Sequence, residues 1–121
     1  MDTYYVETDE HQEFYTEERC HILELLNKGD DRSQSIARAR VEPGVSTAWH
    51  RLKNTSECYY ILEGQGTAEI GENTKHIMKA NSLIRIPSNT PQRITNTGDK
   101  DLIFLCVCVP AFAAENYESM E

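Results

Sequence analysis

Short β-forming runs separated by turn signals occupy most of this sequence. Apolar and β-branched runs lie at roughly 19–26, 34–41, 47–52, 57–63, 66–70, 75–79, 82–87, 92–95 and 101–109. Segments rich in Gly, Pro, Asn and Asp, such as NKGDD, EPG, PSNTP and NTGDKD, stand between them. Helical periodicity is absent, apart from single helical turns expected near 13–20 and 111–118. About nine short strands in 121 residues predict an all-β, single-domain antiparallel sandwich or barrel with little helix.

The negative charge of the chain is concentrated at its two ends. The net charge is -8, and residues 1–18 contain Asp and Glu but no Lys or Arg. Three further glutamates lie at Glu115, Glu118 and Glu121, which leaves the region between nearly neutral. Without a basic patch the chain is poorly matched to a phosphate backbone, so no nucleic-acid partner is expected. We predict an acidic, partly flexible segment over 1–18, a barrel domain over 19–114 and an acidic tail over 115–121.

Neither a secretion signal nor a membrane span is predicted. The start, MDTYYVETDE, is acidic and lacks an apolar run, and LIFLCVCVP at 102–110 is too short to cross a bilayer. The four cysteines form no CxxC pair and are expected to be reduced core residues. The sequence therefore predicts a cytoplasmic protein.

Side chains alternate between the two faces of a strand, and this alternation decides which residues of two strands can meet. His50 and Leu52 share one face of their strand, and Glu57, Tyr59 and Ile61 share one face of the next. A hairpin between the two strands would bring His50 and Glu57 side by side. An unpaired buried Glu57 would be costly, so the arginines on the strands are candidate partners: Arg38, Arg40, Arg85 and Arg93.

Two segments resemble the motifs of the cupin family. Gly44, His50, Glu57 and Gly64 follow the spacing of the first cupin motif, in which the position of Leu52 is usually a histidine. NSLIRIPSNTPQRITN is similar to the second motif, with Pro87 and Asn96 matching. In that segment Asn81 and Asn89 stand where glycine is usual, and Gln92 replaces the last histidine ligand. The resemblance implies an antiparallel jelly-roll β-barrel with a pocket in its mouth, paired as a homodimer, with ERCHILELLN suited to an extra strand at the subunit contact.

The resemblance also implies a ligand set for a divalent transition metal, either Fe, Mn, Ni or Zn. Cupins generally hold the ion with histidines and a glutamate or glutamine. Carried over by position, this chain offers His50, Glu57 and Gln92, while Leu52 cannot donate. Transition metals favour imidazole, so a set with one histidine predicts weak or incomplete coordination.

Two functions follow from this site, and neither requires a macromolecular partner. The first is a metal-dependent isomerase, lyase or dioxygenase acting on a sugar or a small organic acid, with the ion polarising a substrate oxygen. The second is a non-catalytic, metal-free protein that binds a small molecule through His50, Glu57, Tyr59 and Gln92. The retained His50 and Glu57 favour the first function, and Leu52 and Gln92 favour the second.

Overall fold

The structure, a computed structural model, describes residues 3–121 and is built from eleven strands and two short 3-10 turns. The 3-10 turns cover Glu10–Gln12 and Ala114–Asn116. The strands are β1 Phe14–Tyr15, β2 His21–Leu26, β3 Ser35–Val41, β4 His50–Leu52, β5 Ser56–Glu63, β6 Gln65–Ile70, β7 Thr74–Lys79, β8 Leu83–Ile86, β9 Gln92–Asn96, β10 Leu102–Val109 and β11 Tyr117–Ser119. Every predicted run contains a strand, and only the short β1 and β11 were not expected.

The strands form two antiparallel sheets that face each other. One sheet has six strands in the order β1-β2-β3-β10-β5-β8, and the other has five in the order β11-β4-β9-β6-β7. Most neighbours are distant in sequence, as in a jelly roll, where the chain crosses repeatedly between layers. The predicted all-β antiparallel jelly-roll β-barrel is confirmed.

Aliphatic side chains from both sheets meet between the layers at one end of the barrel. Ile61, Ile86, Ile94 and Leu102 are fully buried there, each on the inward face of its strand. Alternating burial along β5 and β9 follows the two-residue period of a strand. Some members of this core cluster, including Tyr59 and Phe104, also line a cavity between the sheets.

Two asparagines explain how the second motif keeps its turns without glycine. Asn81 and Asn89 have φ angles of 74° and 65°, in the left-handed region that usually requires glycine. Asparagine tolerates this region better than most residues. Gly64 has a φ of +85°, and a Cβ there would lie 2.8 Å from the carbonyl oxygen of Asp101. At that position only glycine fits.

The ends of the described chain are attached to the barrel. Arg40 donates to Glu13 and Asp101, and Arg38 donates to Glu10. At the other end, β11 pairs with β4 in the five-stranded sheet. Arg19 then binds the Glu121 carboxylate in a two-pronged ion pair, with distances of 2.8 and 3.2 Å.

The segment predicted to extend a subunit contact belongs to the chain's own sheet. β2 pairs with β3 on one side and with the short β1 on the other. β1 pairs only with His21 and Ile22, so the same edge of β2 has no partner strand over residues 23–26 within the described chain, and the subunit contact stays a prediction. Over residues 3–121, no helix is long and apolar enough to cross a membrane.

Candidate functional site

A cavity of about 160 Å³ lies between the sheets and is lined by β2, β3, β4, β5 and β10. Apolar side chains form most of its wall, including Ile22, Leu52 and Phe104. A mainly apolar pocket with a few polar groups is typical of small-molecule sites. Of the residues predicted for the site, His50, Glu57 and Tyr59 line this cavity, and Gln92 is buried beside it.

His50 and Glu57 reach the cavity from opposite sheets. β4 pairs with β9 and β11, whereas β5 pairs with β8 and β10. The predicted hairpin between these strands is therefore wrong, because the turn between β4 and β5 carries the chain across the sandwich. The prediction that His50 and Leu52 share the inward face is confirmed, since both are buried and line the cavity.

The imidazole of His50 is held in a defined orientation. Its Nδ1 lies 2.8 Å from the carbonyl oxygen of Ala48. A carbonyl only accepts, so Nδ1 carries a proton, and in the neutral imidazole Nε2 is then the acceptor nitrogen. The ring of Tyr117, from β11, stacks on the imidazole with 5.0 Å between centroids and an interplanar angle of 20°. Tyr117 was missed in the sequence because it lies in the predicted acidic tail.

Glu57 is a buried carboxyl group with one unpartnered oxygen. Only 8% of the residue is exposed, and its Oε1 has no hydrogen-bond partner among the described residues. Oε2 accepts a weak hydrogen bond from the Cys108 thiol at 3.5 Å. Burial, together with the charge of Glu18, raises the pKa of Glu57 to about 7, and the nearby Cys108, Gln92 and Cys106 side chains oppose that shift. Such a group exchanges a proton readily near neutral pH, as general acids and bases do.

Glu18 is a second carboxyl group of the cavity that the sequence analysis did not identify. It lies just before β2, and its carbonyl accepts a 3.1 Å hydrogen bond from the Ala48 amide. Burial raises its pKa, and the charge of His50 opposes that shift. The even-numbered residues from Thr16 to Leu26 all line the cavity. Reading the alternation of β2 backward past residue 19 would have found Glu18.

Tyr59 and Gln92 form a buried pair. The Tyr59 hydroxyl donates to Gln92 Oε1, and the Tyr59 ring packs against Phe104 at 4.8 Å between centroids. Burial raises the pKa of Tyr59 well above its ordinary value, which keeps the hydroxyl protonated as a donor. One lone pair of the amide oxygen that a metal would need is therefore already engaged.

The arginines proposed as partners of Glu57 are used elsewhere. Arg38 and Arg40 bind the acidic groups near the N-terminal end and Asp101, and Arg93 binds Glu69. Arg85 is exposed on β8. None of the four lines the cavity, so that expectation is wrong. Each points away from the cavity because its position has the outward parity of its strand.

The donors present do not fit a resident divalent metal. Within residues 3–121, no three His, Cys, Asp or Glu side chains are placed to hold one ion. Leu52 fills the position of a second imidazole, and the Gln92 oxygen accepts from Tyr59. Burial raises the pKa of the Cys20 thiol to about 11, and that of the Cys108 thiol further, so neither supplies a thiolate near neutral pH.

Comparisons with known proteins agree with this architecture. The family model described as the cupin domain matches residues 37–108. The chain is 35% identical over 117 residues to an uncharacterized protein of Methanocaldococcus jannaschii, covering 95% of this chain and 93% of that protein. It is 34% identical over 95 residues to the oxalate-binding protein of Thermotoga maritima, covering 76% and 74%.

Two solved structures show the same fold. The nucleoside dehydratase Pac13 superposes with a TM-score of 0.80 at 19% identity, over 98% of this chain and 92% of that one. A predicted oxalate decarboxylase of Thermotoga maritima superposes with a TM-score of 0.69 at 30% identity, over 75% and 80%.

Proposed function

This chain is a member of the cupin family, and we propose that its cavity binds a small polar molecule on which Glu57 and His50 transfer protons without a resident metal. The unpartnered, buried Glu57 carboxyl group carries this proposal. A buried carboxyl group costs stability unless it is paired or hydrogen-bonded, and groups with strongly shifted pKa values cluster at catalytic sites. Among the reactions that the sequence suggests, an isomerase or lyase fits this chemistry.

The two side chains suit complementary steps. His50, protonated at Nδ1, presents Nε2 as an acceptor and can remove a proton from the bound molecule. Glu57, when protonated, can deliver its proton to a departing hydroxyl group, which then leaves as water. Proton removal and hydroxyl protonation together constitute a dehydration, and proton transfer between two carbons is an isomerisation. The fold neighbour Pac13 is described as a nucleoside dehydratase, which supports this class of chemistry.

The proposal is tested by deuterium exchange into candidate substrates. Uridine and a set of pentoses would be incubated in D₂O with the protein, and loss of individual C–H signals followed by proton NMR. We expect exchange or elimination with the parent protein and a loss of at least about a hundredfold with Glu57→Gln. Glu63→Gln, an exposed change on the same strand, is the matched control and is expected to retain the rate. Equal exchange with and without Glu57 would refute the proposal.

The parent protein and its variants also separate two alternative functions. The first alternative is the metal-dependent enzyme expected from the sequence, in which an ion would contact Glu57 Oε1, an atom with no hydrogen-bond partner within the described residues. Metal analysis of untagged protein from cultures supplemented with Mn, Fe, Ni or Zn tests it. Stoichiometric metal that is lost in His50→Ala would replace the metal-free proposal. Binding of a probe without any exchange would instead favour the non-catalytic binding protein. The homodimer and the cytoplasmic location stay predictions.

A further inference from the structure

The charged groups that line the cavity are nearly all acidic. Glu18, Glu24 and Glu57 contribute carboxyl groups, and His50 is the single basic side chain among the lining residues that the structure describes. Glu24 lies on the exposed part of the wall, Glu18 is partly buried and Glu57 is buried. When ionised, carboxyl groups in a cavity with apolar walls repel an anionic ligand more strongly than the same groups would in water.

The Lys and Arg side chains needed to balance an anionic ligand are not at the cavity. No Lys or Arg lines it anywhere in residues 3–121. Arg40 and Arg93 are held in ion pairs outside the cavity, at 2.6 and 3.1 Å from Glu13 and Glu69. Releasing one would break a salt bridge and require its side chain to cross a strand. Apart from His50, the described residues that line the cavity therefore offer no positive charge to a carboxylate ligand.

The free acceptor at Glu57 indicates what the cavity needs instead. Its Oε1 is buried and unpartnered within the described chain, although buried polar atoms normally have a partner. An acceptor of this kind is satisfied by a ligand hydroxyl or amide N–H. When Glu57 is ionised, a ligand carboxylate would place two acceptors against each other, which costs free energy in a desolvated site.

We infer that the cavity selects an uncharged, hydrogen-bond-donating ligand and discriminates against carboxylates, oxalate included. This inference rests on the proposed function and names its substrate class. It distinguishes this chain from its relative, the oxalate-binding protein of Thermotoga maritima, despite 34% identity. The inference rests on the absence of Lys and Arg from the described lining and on the unpartnered Glu57 oxygen.

A series of probes with one skeleton and different charge tests the inference. Oxalate, oxamate and oxamide carry two, one and no carboxylates, and they have similar shapes. Each would be titrated into ¹⁵N-labelled protein in a chelator-containing buffer, and the backbone resonances of β4 and β5 followed by NMR. We expect oxamide to bind at least about tenfold more tightly than oxalate, with oxamate between them.

Charge-removing variants show whether the cavity carboxyl groups cause this order. Glu18→Gln is expected to reduce the preference for oxamide by about threefold or more, and Glu24→Gln by less because it is exposed. Glu17→Gln removes an equal charge from an exposed neighbour outside the lining and should leave the order unchanged. Glu24→Gln also preserves the test if Glu18→Gln fails to fold.

Two results would overturn the inference. Oxalate binding as tightly as oxamide would show that the cavity does not reject carboxylates, while leaving proton transfer by Glu57 intact. A lack of any oxamide-induced shift at β4 and β5 would also overturn it. In that case, continued deuterium exchange into uridine or a pentose would show that the proposed function survives.

Discussion

Replacing Glu57 by glutamine should change how the stability of the protein depends on pH. The pKa of Glu57 is about 7 in the folded protein and 4.5 ordinarily. Below pH 4.5 the group is neutral in both the folded and unfolded states, so ionisation contributes nothing. As the pH rises from 4.5 to 7, the unfolded chain loses the proton first, and the folded state is destabilised relative to it. Above pH 7 the penalty is constant.

The size of this loss in the free energy of unfolding follows from the shift in the pKa of Glu57. At 1.36 kcal/mol per pKa unit, the burial of Glu57 lowers the free energy of unfolding by about 3 kcal/mol at pH 8. Glu57→Gln cannot ionise, so it should be more stable than the parent at pH 8 by about this amount, relative to their difference at pH 4. Using the pH 4 value as the reference cancels any change in packing that the amide introduces.

Urea unfolding followed by tryptophan fluorescence at several pH values from 4 to 8 measures this difference. Glu63→Gln on the same strand is exposed and should follow the parent within about 0.5 kcal/mol. If Glu57→Gln and the parent show parallel stability curves over this range, then Glu57 ionises normally. The assignment of Glu57 as a proton-transfer group would lose its physical basis.

Two further substitutions test the hydrogen bonds of a buried asparagine and the cavity face of β4. Asn96 is buried, donates to the carbonyls of Val41 and Lys100, and accepts from the Gly98 amide. We expect Asn96→Ala to lower the free energy of unfolding by about 3 kcal/mol, measured in urea; a loss below about 0.5 kcal/mol would show that these bonds are replaced by water. Leu52→His places an imidazole on the cavity face beside His50, and we expect tighter Zn²⁺ binding in calorimetric titration. Equal affinity in variant and parent would contradict that geometry.

The sequence predicted the strands well because local chemistry decides where strands begin and end. Alternating apolar residues and clusters of Gly, Pro, Asn and Asp act over a few positions. The same alternation correctly placed His50, Leu52, Glu57 and Tyr59 on inward faces. Local sequence does not decide strand pairing, because pairing depends on which strand edges the distant segments of the chain leave unpaired. The assumed hairpin between β4 and β5 failed for this reason, since each strand found its partners elsewhere in the chain.

Sequence reasoning missed Glu18 and Tyr117, because the acidic composition around each residue obscured the alternation of its strand. Glu18 follows a run of acidic residues, so its two-residue spacing from Cys20 was not given weight. Tyr117 sits between glutamates in a strand of three residues, which is too short to show a period. Both are positioned by long-range contacts, through the Ala48 amide and the edge of β4 respectively. Such contacts leave no local signature in a single sequence.

The attachment of β11 brings the C-terminal residues against His50, which lines the pocket. Tyr117 covers one face of the His50 ring, and Glu121 ties the adjoining strand to Arg19, next to Glu18. A protease that cuts after Asn116 would therefore uncover the imidazole and loosen the segment that carries a cavity carboxyl group, while every strand from β1 to β10 stayed intact. Proteolytic removal of the C-terminal residues would then abolish ligand binding before it unfolded the barrel. Conversely, a ligand bound in the cavity would protect these residues from digestion, so the rate of digestion would report occupancy of the cavity.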